Sequence, residues 1–456
     1  MENISRRGFI KKATLVGAAL TAFPKIFVRG VPIANAKENE MPLLTHPYLG
    51  RPTTSSITVN LVAGEKELVS YIKFRKRDGL KKEAWKGTGE YLLKPFTPIN
   101  VTLEPLLGDS SYEYQVYARE KSNTNFQRVT KGTFRTQRTK HSSFSFAVFS
   151  DAHIAPFYRD RMEVLREVGK GILARKPEFA FMLGDNIQTF TSHGGPMTEP
   201  RFGPILYSAL RHALGELPSS VPVYKVLGNW EGENGWHPDR ERGWARNART
   251  AWPNPGPGTY PEGGSGNEDY YAFTWGDVLF IALNVTGYTA SDHAMQSPGG
   301  RADDWTLGKE QREWLYDRLS RSKAKWKLIF IHHTVGGNAG DDVNSRYGRG
   351  GGRAARVGEQ AVIHRWMGEF GVQVLFYGHD HVFTDIPVDG IHYVCVGSAG
   401  APWKFPESVT GYRKFWTPSG CTWVDVKDDR LEISFVKPDV LNPVGEVLHS
   451  FEIVHS

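Results

Sequence analysis

From Phe144 onward, short continuous apolar segments alternate with amphipathic segments of helical length, and this alternation constrains the fold more than any other feature of the chain. The run FSFAVFS comes first, and the helical stretch DRMEVLREVGKGILARK follows it. The apolar segments EFAFML, VPVYKVL, VLFIALNV, WKLIFI and VQVLFY then recur with helical stretches between most of them. Strands that are buried on both faces and alternate with helices are typical of layered α/β domains.

Residues 41 to about 138 have a different rhythm, with short alternating segments separated by Gly, Pro, Asp and Asn turns. This spacing predicts an all-β sandwich. Within it, VTLEPLLGDSSYEYQVYA resembles the fibronectin type III pattern of a leucine, a turn and alternating tyrosines. The sequence of this region contains no cluster of candidate catalytic residues, so we expect a packing or binding role.

Residues 1–36 have the pattern of a twin-arginine signal peptide, with Arg6 and Arg7 before a short apolar run and the small residues Ala34–Ala36 at its end. We therefore expect a periplasmic or secreted protein without stable membrane insertion once the signal is removed. Six of the 56 basic residues and one of the 49 acidic residues lie in this segment, so the remainder carries a net charge of only +2. That balance does not favour nucleic acid as a partner.

Polar residues of metal-ligand type follow five of the predicted strands. Because sites in open α/β sheets form beyond the carboxyl ends of strands, these groups should converge in one crevice. Mixed imidazole, carboxylate and amide ligands suit transition metals such as Fe, Zn or Mn better than Ca or Mg, and seven such groups suit two ions that share a carboxylate. The residues are Asp151, His153, Asp185, Asn229, His332, His379 and His381.

These blocks, in this order, resemble the calcineurin-like metallophosphoesterases, which include the purple acid phosphatases. The family's blocks are D-x-H, G-D-x-x, G-N-H-[DE], an isolated His and G-H-x-H. The resemblance implies a layered α/β/β/α domain over residues 144–456, preceded by the sandwich at 41–138. Carried over by position, one metal would be held by Asp151, His153, Asp185 and His381. The second would be held by Asp185, which bridges, with Asn229, His332 and His379.

Two positions depart from the family pattern. Gln188 stands where purple acid phosphatases have an iron-binding tyrosine, so no phenolate-to-iron colour is expected. Trp230 stands where the family has a histidine credited with protonating the leaving group, and an indole can only donate a hydrogen bond. Three explanations remain open: another imidazole substitutes (His333, His193 or His237), the leaving group needs no acid and stacks on Trp230, or the protein binds without cleaving.

A Gly- and Arg-rich segment, residues 336–356, follows His332 closely. Glycines let backbone N–H groups approach an anion, and guanidinium groups match phosphate oxygens. The segment is either a solvated loop or a substrate clamp, and its arginines are Arg346, Arg349, Arg353 and Arg356.

The resulting expectation is an exported hydrolase of small phosphate mono- or diesters, in which a metal-bound hydroxide attacks phosphorus. The alternative is a catalytically weakened, metal-containing protein that binds phosphate or glycan. Oligomeric state, and a disulfide between Cys395 and Cys421, whose flanking strands could lie side by side, are left open by the sequence.

Overall fold

The computed structural model of the protein describes residues 43–77, 83–156, 158–188, 203–232, 251–285, 306–335, 358–403 and 412–455. The N-terminal strands are β1 (Tyr48–Gly50), β2 (Ile57–Leu61), β3 (Leu68–Lys76), β4 (Lys86–Gly87), β5 (Tyr91–Leu93), β6 (Ile99–Leu103), β7 (Ser111–Glu120) and β8 (Gln127–Arg135). They form two antiparallel sheets, of order β1-β2-β6 and β4-β3-β7-β8, with β5 paired to β3.

Alternating side chains account for the packing of these two sheets. Every second residue along β3 and β7 is buried, including Ile72, Phe74, Tyr114 and Val116. These side chains meet the buried residues of β2 and β6 in one core. The predicted all-β region is therefore present.

The rest of the described chain contains two six-stranded sheets. The first has the order β11-β10-β9-β18-β19-β20 and the second the order β12-β13-β14-β15-β17-β16, from the following strands. They are β9 (Phe144–Phe149), β10 (Phe179–Met182), β11 (Val223–Lys225), β12 (Tyr271–Trp275), β13 (Val278–Ala282), β14 (Trp326–Phe330), β15 (Val374–Tyr377), β16 (Phe383–Val388), β17 (Ile391–Val396), β18 (Cys421–Val426), β19 (Arg430–Lys437) and β20 (Glu446–Val454).

The second sheet is parallel at its centre, and the first sheet is parallel from its β11 edge to β9. Strands β9, β10 and β11 are parallel, as are β13, β14, β15 and β17. Their carboxyl ends consequently share one edge of the molecule. The helices are α1 (Arg159–Arg175), α2 (Gly203–Leu214), α3 (Leu217–Ser220), α4 (Asn229–Gly232), α5 (Gly308–Arg321) and α6 (Gly358–Glu369).

Three cores define the layers. The middle core lies between the two six-stranded sheets and is rich in phenylalanine; the rings of Phe181 and Phe330, one from each sheet, stack with centroids 3.9 Å apart. A second core joins the first sheet to α1, α2 and α3, and a third joins the second sheet to α5 and α6. The predicted α/β/β/α layering is confirmed.

The N-terminal sandwich packs directly on the first helical layer. Arg211, buried in α2, donates hydrogen bonds to Thr45 Oγ1 at 3.0 Å and to the His46 carbonyl oxygen at 3.1 Å. Tyr114 donates its hydroxyl hydrogen to the Ser219 carbonyl oxygen at 2.8 Å. The two parts are thus joined by buried polar contacts.

Both cysteines are buried free thiols, so the disulfide left open by the sequence is not formed. Cys395 lies in β17 and Cys421 in β18, and these strands belong to different sheets, so the idea that they could lie side by side was wrong. Among the described helices, none combines the length and the apolar character that spanning a bilayer requires.

Candidate metal centre

All seven predicted ligand residues lie just beyond the carboxyl ends of parallel strands. The first sheet contributes three of the loops and the second sheet contributes two. Five of the seven side chains are buried, and His379 and His381 are half-buried. The loops follow β9 (Asp151 and His153), β10 (Asp185), β11 (Asn229), β14 (His332) and β15 (His379 and His381).

Asp151, His153 and His381 form the first cluster, with one ligand atom from each lying within 4.8 Å of the others. The Nε2 atoms of the two histidines are 3.0 Å apart. His381 Nε2 also lies 3.5 Å from Asp151 Oδ1. The three side chains therefore direct their donor atoms at one small volume.

Asp185, His332 and His379 form the second cluster by the same measure. Asn229 joins it, because its Oδ1 lies 3.1 Å from His332 Nε2 and 3.0 Å from His379 Nδ1. A neutral amide oxygen thus faces two imidazole nitrogens. The structure brings all four predicted residues of this second site together.

Asp185 lies between the clusters. Its Oδ2 is 3.3 Å from His332 Nε2 and 3.6 Å from His153 Nε2. Its other oxygen, Oδ1, accepts the backbone N–H of Trp230 at 2.9 Å. This hydrogen bond orients the carboxylate so that Oδ2 faces both clusters.

The donor set fits two cations. Asp151 Oδ1 is buried and accepts no hydrogen bond from the described residues. His332 Nδ1 donates to the Leu183 carbonyl oxygen at 2.7 Å, so the neutral ring points the lone pair of Nε2 at Asp185 and Asn229. Acceptor atoms that face one another at such distances repel unless a proton or metal ion lies between them. Imidazole and oxygen donors of this kind suit transition metals.

The electrostatics describe the same arrangement. Burial, with the negative charge of Asp185 nearby, raises the pKa of Asp151 well above its ordinary value. Burial acts in the same direction on Asp185, but the charge and hydrogen bond of His332 outweigh it and hold the pKa of Asp185 below its ordinary value. Burial lowers the pKa of His332, yet Asp185 overcomes this effect and raises it to about 9. Asp185 thus favours a positive charge at its side, either from a proton on His332 or from a metal ion.

Five of these residues have left-handed backbone conformations, which are rare outside glycine. Such conformations cost about 1–3 kcal/mol each and cluster at functional sites. The φ angles are 55° for Asp151, 47° for His153, 50° for Asp185, 72° for His379 and 55° for His381.

Glu231, in α4, is a structural residue of the site whose role was not foreseen. Its carboxylate accepts the backbone N–H groups of Asp185 at 2.9 Å, Asn186 at 2.7 Å and Gly228 at 2.8 Å. It therefore holds the loops after β10 and β11 together. The acidic residue of the family's G-N-H-[DE] block was the available sequence signal.

Arg161 was also missed, because nothing in the sequence marks it. It lies in α1 with only 5% of its surface exposed, and its Nη1 donates to Gln188 Oε1 and to the His153 carbonyl oxygen. Gln188 in turn contacts His153 Nδ1 at 3.0 Å. The glutamine therefore lies against the outer nitrogen of a ligand residue.

The remaining predicted site residues fall into two groups. Trp230 is half-buried, and its ring lies 5.5 Å from that of His153 at an interplanar angle of 80°. His333 is 1% exposed, with its ring 5.1 Å from that of His379. The others lie outside the described residues: His193, His237, Arg346, Arg349, Arg353 and Arg356.

The family profile described as calcineurin-like phosphoesterase matches residues 144–383, more than half of the 456-residue chain. No curated protein sequence matches the chain. Among solved structures, the chain is similar to purple acid phosphatase PPD1 from yellow lupin (Lupinus luteus) seeds, with a TM-score of 0.65 and 16% identity over 91% of this chain and 74% of that chain. It is also similar to PhoD, with a TM-score of 0.69 and 14% identity over 92% of each chain.

At these identities the two structures show a shared fold. The family profile goes further, because it spans all five ligand-bearing loops. The resemblance inferred from the sequence blocks is therefore confirmed, and the chain belongs to the calcineurin-like phosphoesterase family.

Proposed function

We propose that the protein is an exported hydrolase of phosphate mono- or diesters that works with two transition-metal ions, Fe, Zn or Mn. The observation that carries this proposal is the carboxylate of Asp185, whose Oδ2 lies within 3.6 Å of a histidine nitrogen in each ligand cluster. Two-metal phosphoesterase sites typically hold their ions ~3.5–4 Å apart. A carboxylate that reaches both clusters matches such a pair.

Bound ions of this kind polarise phosphoryl oxygens and supply a nucleophile at neutral pH. The protein residues set the charge and geometry of the centre. Asp151 and Asp185 are its two carboxylates, and Asn229 adds an oxygen without adding charge. Two carboxylates against two divalent cations leave a net positive centre, which attracts a phosphate anion.

Trp230 bears on the choice of substrate. Its indole cannot give up a proton near neutral pH, so it cannot act as a general acid for a poor leaving group. The nearby His333 is buried, with its ring 5.1 Å from that of His379. We therefore propose esters with good leaving groups, such as aryl phosphates, whose ring packs against the half-buried indole.

Phosphate contacts from the Gly- and Arg-rich segment belong to the same proposal. Arg346, Arg349 and Arg353 follow the ligand His332 within about twenty residues of sequence. Guanidinium groups bind phosphate oxygens in a forked geometry. His193 and His237 are kept as candidate proton donors on the same sequence basis.

Export to the periplasm or beyond is supported by the sequence of residues 1–36. Replacing Arg6 and Arg7 together by lysine should leave the protein in the cytoplasm, because the twin-arginine pair is the feature that the export machinery reads. Fractionation of cells that express each form, followed by immunoblotting, measures this. Unchanged export of the double variant would contradict the proposed route.

The central experiment combines elemental analysis of exported protein with assays on matched aryl and alkyl phosphate mono- and diesters. We expect two transition-metal ions per chain and faster turnover of the aryl esters. Two bound ions without turnover of any ester would instead favour the alternative, a protein that binds phosphate or glycan. Protein that binds fewer than two ions under saturating metal would overturn the dimetal assignment.

A further inference from the structure

We propose that Arg161 is a positioning residue that selects the tautomer of His153 through one oxygen atom of Gln188. The inference deepens the proposed metal-dependent function and rests on it, since it concerns how one ligand is prepared for its ion. It also assigns a role to Gln188, which occupies the position of the family's iron-binding tyrosine.

The contacts form a short chain. Arg161 Nη1 lies 3.0 Å from Gln188 Oε1 and 3.1 Å from the His153 carbonyl oxygen. The same Gln188 oxygen lies 3.0 Å from His153 Nδ1. Arg161 and Gln188 are 5% and 7% exposed, so bulk water does not compete strongly for these hydrogen bonds.

Donor and acceptor chemistry then determines where the proton lies. A guanidinium group can only donate, so the atom of Gln188 that faces Arg161 must be the carbonyl oxygen and not the amide nitrogen. An amide oxygen can only accept, so His153 Nδ1 must carry the hydrogen. In a neutral imidazole the other nitrogen, Nε2, is then unprotonated and free to bind a metal.

That unprotonated nitrogen faces the metal centre. His153 Nε2 lies 3.0 Å from His381 Nε2 and 3.6 Å from Asp185 Oδ2. Without the hydrogen bond at Nδ1, the ring could place its hydrogen on Nε2, where it would block ligation. The partners of a ligand histidine's outer nitrogen commonly set its orientation and affinity in this way.

The hydrogen bonds that Arg161 donates account for the burial of its charged side chain. Its guanidinium Cζ lies 3.8 Å from the centre of the Tyr158 ring, and no carboxylate of the described chain lies within ion-pair distance of it. Burying a cation without a counter-ion costs free energy. Here its hydrogen bonds hold the Gln188 side chain and the His153 backbone at once.

The chain also differs in charge from the family pattern. A tyrosinate at position 188, as in the purple acid phosphatases, would add negative charge beside the first cluster, whereas Gln188 is neutral and Arg161 is positive. His153 is consequently oriented without an increase in negative charge.

The test uses the full mature chain with ¹⁵N-labelled histidine, and His153 is identified by comparison with His153→Gln. In metal-free protein, nitrogen NMR should show hydrogen on Nδ1 and none on Nε2. Arg161→Met and Gln188→Leu should shift His153 towards the Nε2–H tautomer and weaken Zn²⁺ binding at one site by about 10–100-fold. Gln188→Glu keeps the acceptor oxygen and should preserve the tautomer.

Lys170→Met is the matched control, because Lys170 lies in the same helix and, among the described residues, its ammonium group pairs only with Glu167 on the surface. It should change neither the nitrogen spectrum nor the Zn²⁺ affinity. If Gln188→Leu does not fold, Gln188→Asn tests the same hydrogen bond to His153 Nδ1, because its side-chain oxygen is withdrawn by one methylene.

Wild-type tautomer and Zn²⁺ affinity in both Arg161→Met and Gln188→Leu would overturn the inference, as would an Nε2–H signal from the native protein. The outcome is independent of the proposed reaction. A protein with the expected tautomer but no turnover would keep the inference and reject the phosphoesterase proposal. Turnover by a protein whose His153 carries its hydrogen on Nε2 would keep the phosphoesterase proposal and reject the inference.

Discussion

At the scale of single residues, the two carboxylate oxygens of Asp185 make different contacts. Oδ1 accepts the Trp230 backbone N–H, and Oδ2 lies near a histidine of each cluster. The residue adopts a left-handed backbone with φ of 50° and is 2% exposed. The surrounding fold therefore sets where this carboxylate points.

We expect Asp185→Asn to lose both metals, because the amide removes the shared negative charge while keeping the size of the side chain. Activity should fall by at least about 100-fold, more than the usual effect of changing a ligand's outer partner. Elemental analysis and phosphoester assays measure this. Asp160→Asn, an exposed acidic residue in α1, is the control. Retained metal and activity would refute the bridge.

Trp230→His should restore a general acid beside the leaving group. We expect kcat on alkyl phosphates to rise by about 10²–10⁴-fold, while kcat on aryl phosphates changes much less. Trp230→Phe serves as the control, since it keeps an aromatic ring and adds no titratable group. Equal responses to the two substitutions would show that the proton comes from elsewhere.

At the scale of elements, the ligand loops approach so closely that only glycine fits at certain points. A Cβ on Gly378 would lie 2.1 Å from Ser150 Oγ and 2.7 Å from Asp151 Oδ2. A Cβ on Gly184, whose φ is +95°, would lie 2.4 Å from the Gly228 backbone nitrogen. The glycines of the sequence blocks thus serve loop packing as well as turn formation.

Gly378→Ala should push Asp151 away from the first cluster. We expect a loss of about 1–3 kcal/mol in the free energy of unfolding and weaker metal binding at that cluster. Chemical denaturation and metal titration measure the two effects. Gly368→Ala, in α6 with nothing within 4 Å of the added methyl group, should leave metal binding unchanged.

His212 in α2 predicts how stability depends on pH. Burial, assisted by the charge of Arg166, lowers its pKa to about 4, and its Nε2 has no hydrogen-bond partner among the described residues. An unfolded chain would protonate this histidine near pH 6.5. Between pH 6.5 and 4 the unfolded state therefore binds more protons, and stability falls as the pH falls.

We expect this histidine to account for a loss of at most about 3 kcal/mol in the free energy of unfolding between pH 6.5 and 4. Urea denaturation at several pH values measures it, and His212→Gln should flatten the dependence. Ser208→Ala, at a half-buried position of the same helix, should not. An unchanged slope in His212→Gln would contradict the assignment.

The sequence predicted those elements whose signals are local. Each block of candidate ligands directly follows an apolar strand, so the strand ends and the proximity of the seven candidate residues could be predicted together. The neighbours of β17 and β18 could not, because strand composition does not specify which sheet a strand joins. The contact of Arg161 with Gln188 also escaped prediction, since it joins α1 to a loop that only the tertiary fold brings near it.

At the scale of the whole molecule, the sandwich and the two-sheet unit share a tightly packed interface. A Cβ on Gly132 of β8 would lie 2.1 Å from the Ser219 carbonyl oxygen and 2.6 Å from Tyr114 Cε1. The backbone of one part therefore touches the helical layer of the other directly. This contact is rigid, because one partner is a main-chain atom.

Gly132→Ala should force the two parts to separate slightly. We expect it to lower the free energy of unfolding by about 1–3 kcal/mol, as overpacking usually does. Thermal and denaturant unfolding of the full chain measure it. Gly87→Ala is the matched control in the same sandwich, because nothing lies within 4 Å of the added methyl group. Equal free energies of unfolding for Gly132→Ala and the wild-type protein would show that the interface adjusts to the added methyl group at little cost.

The layer of phenylalanine rings between the two sheets influences the geometry of the candidate metal centre at the strand ends. Asp151, Asp185 and Asn229 follow strands on one side of that layer, and His332, His379 and His381 follow strands on the other. The thickness of the ring layer therefore sets how far apart the two halves of each ligand cluster lie. Replacing Phe330, two residues before His332, with a smaller side chain would therefore move these two sets of residues relative to each other and change the coordination that each cluster offers.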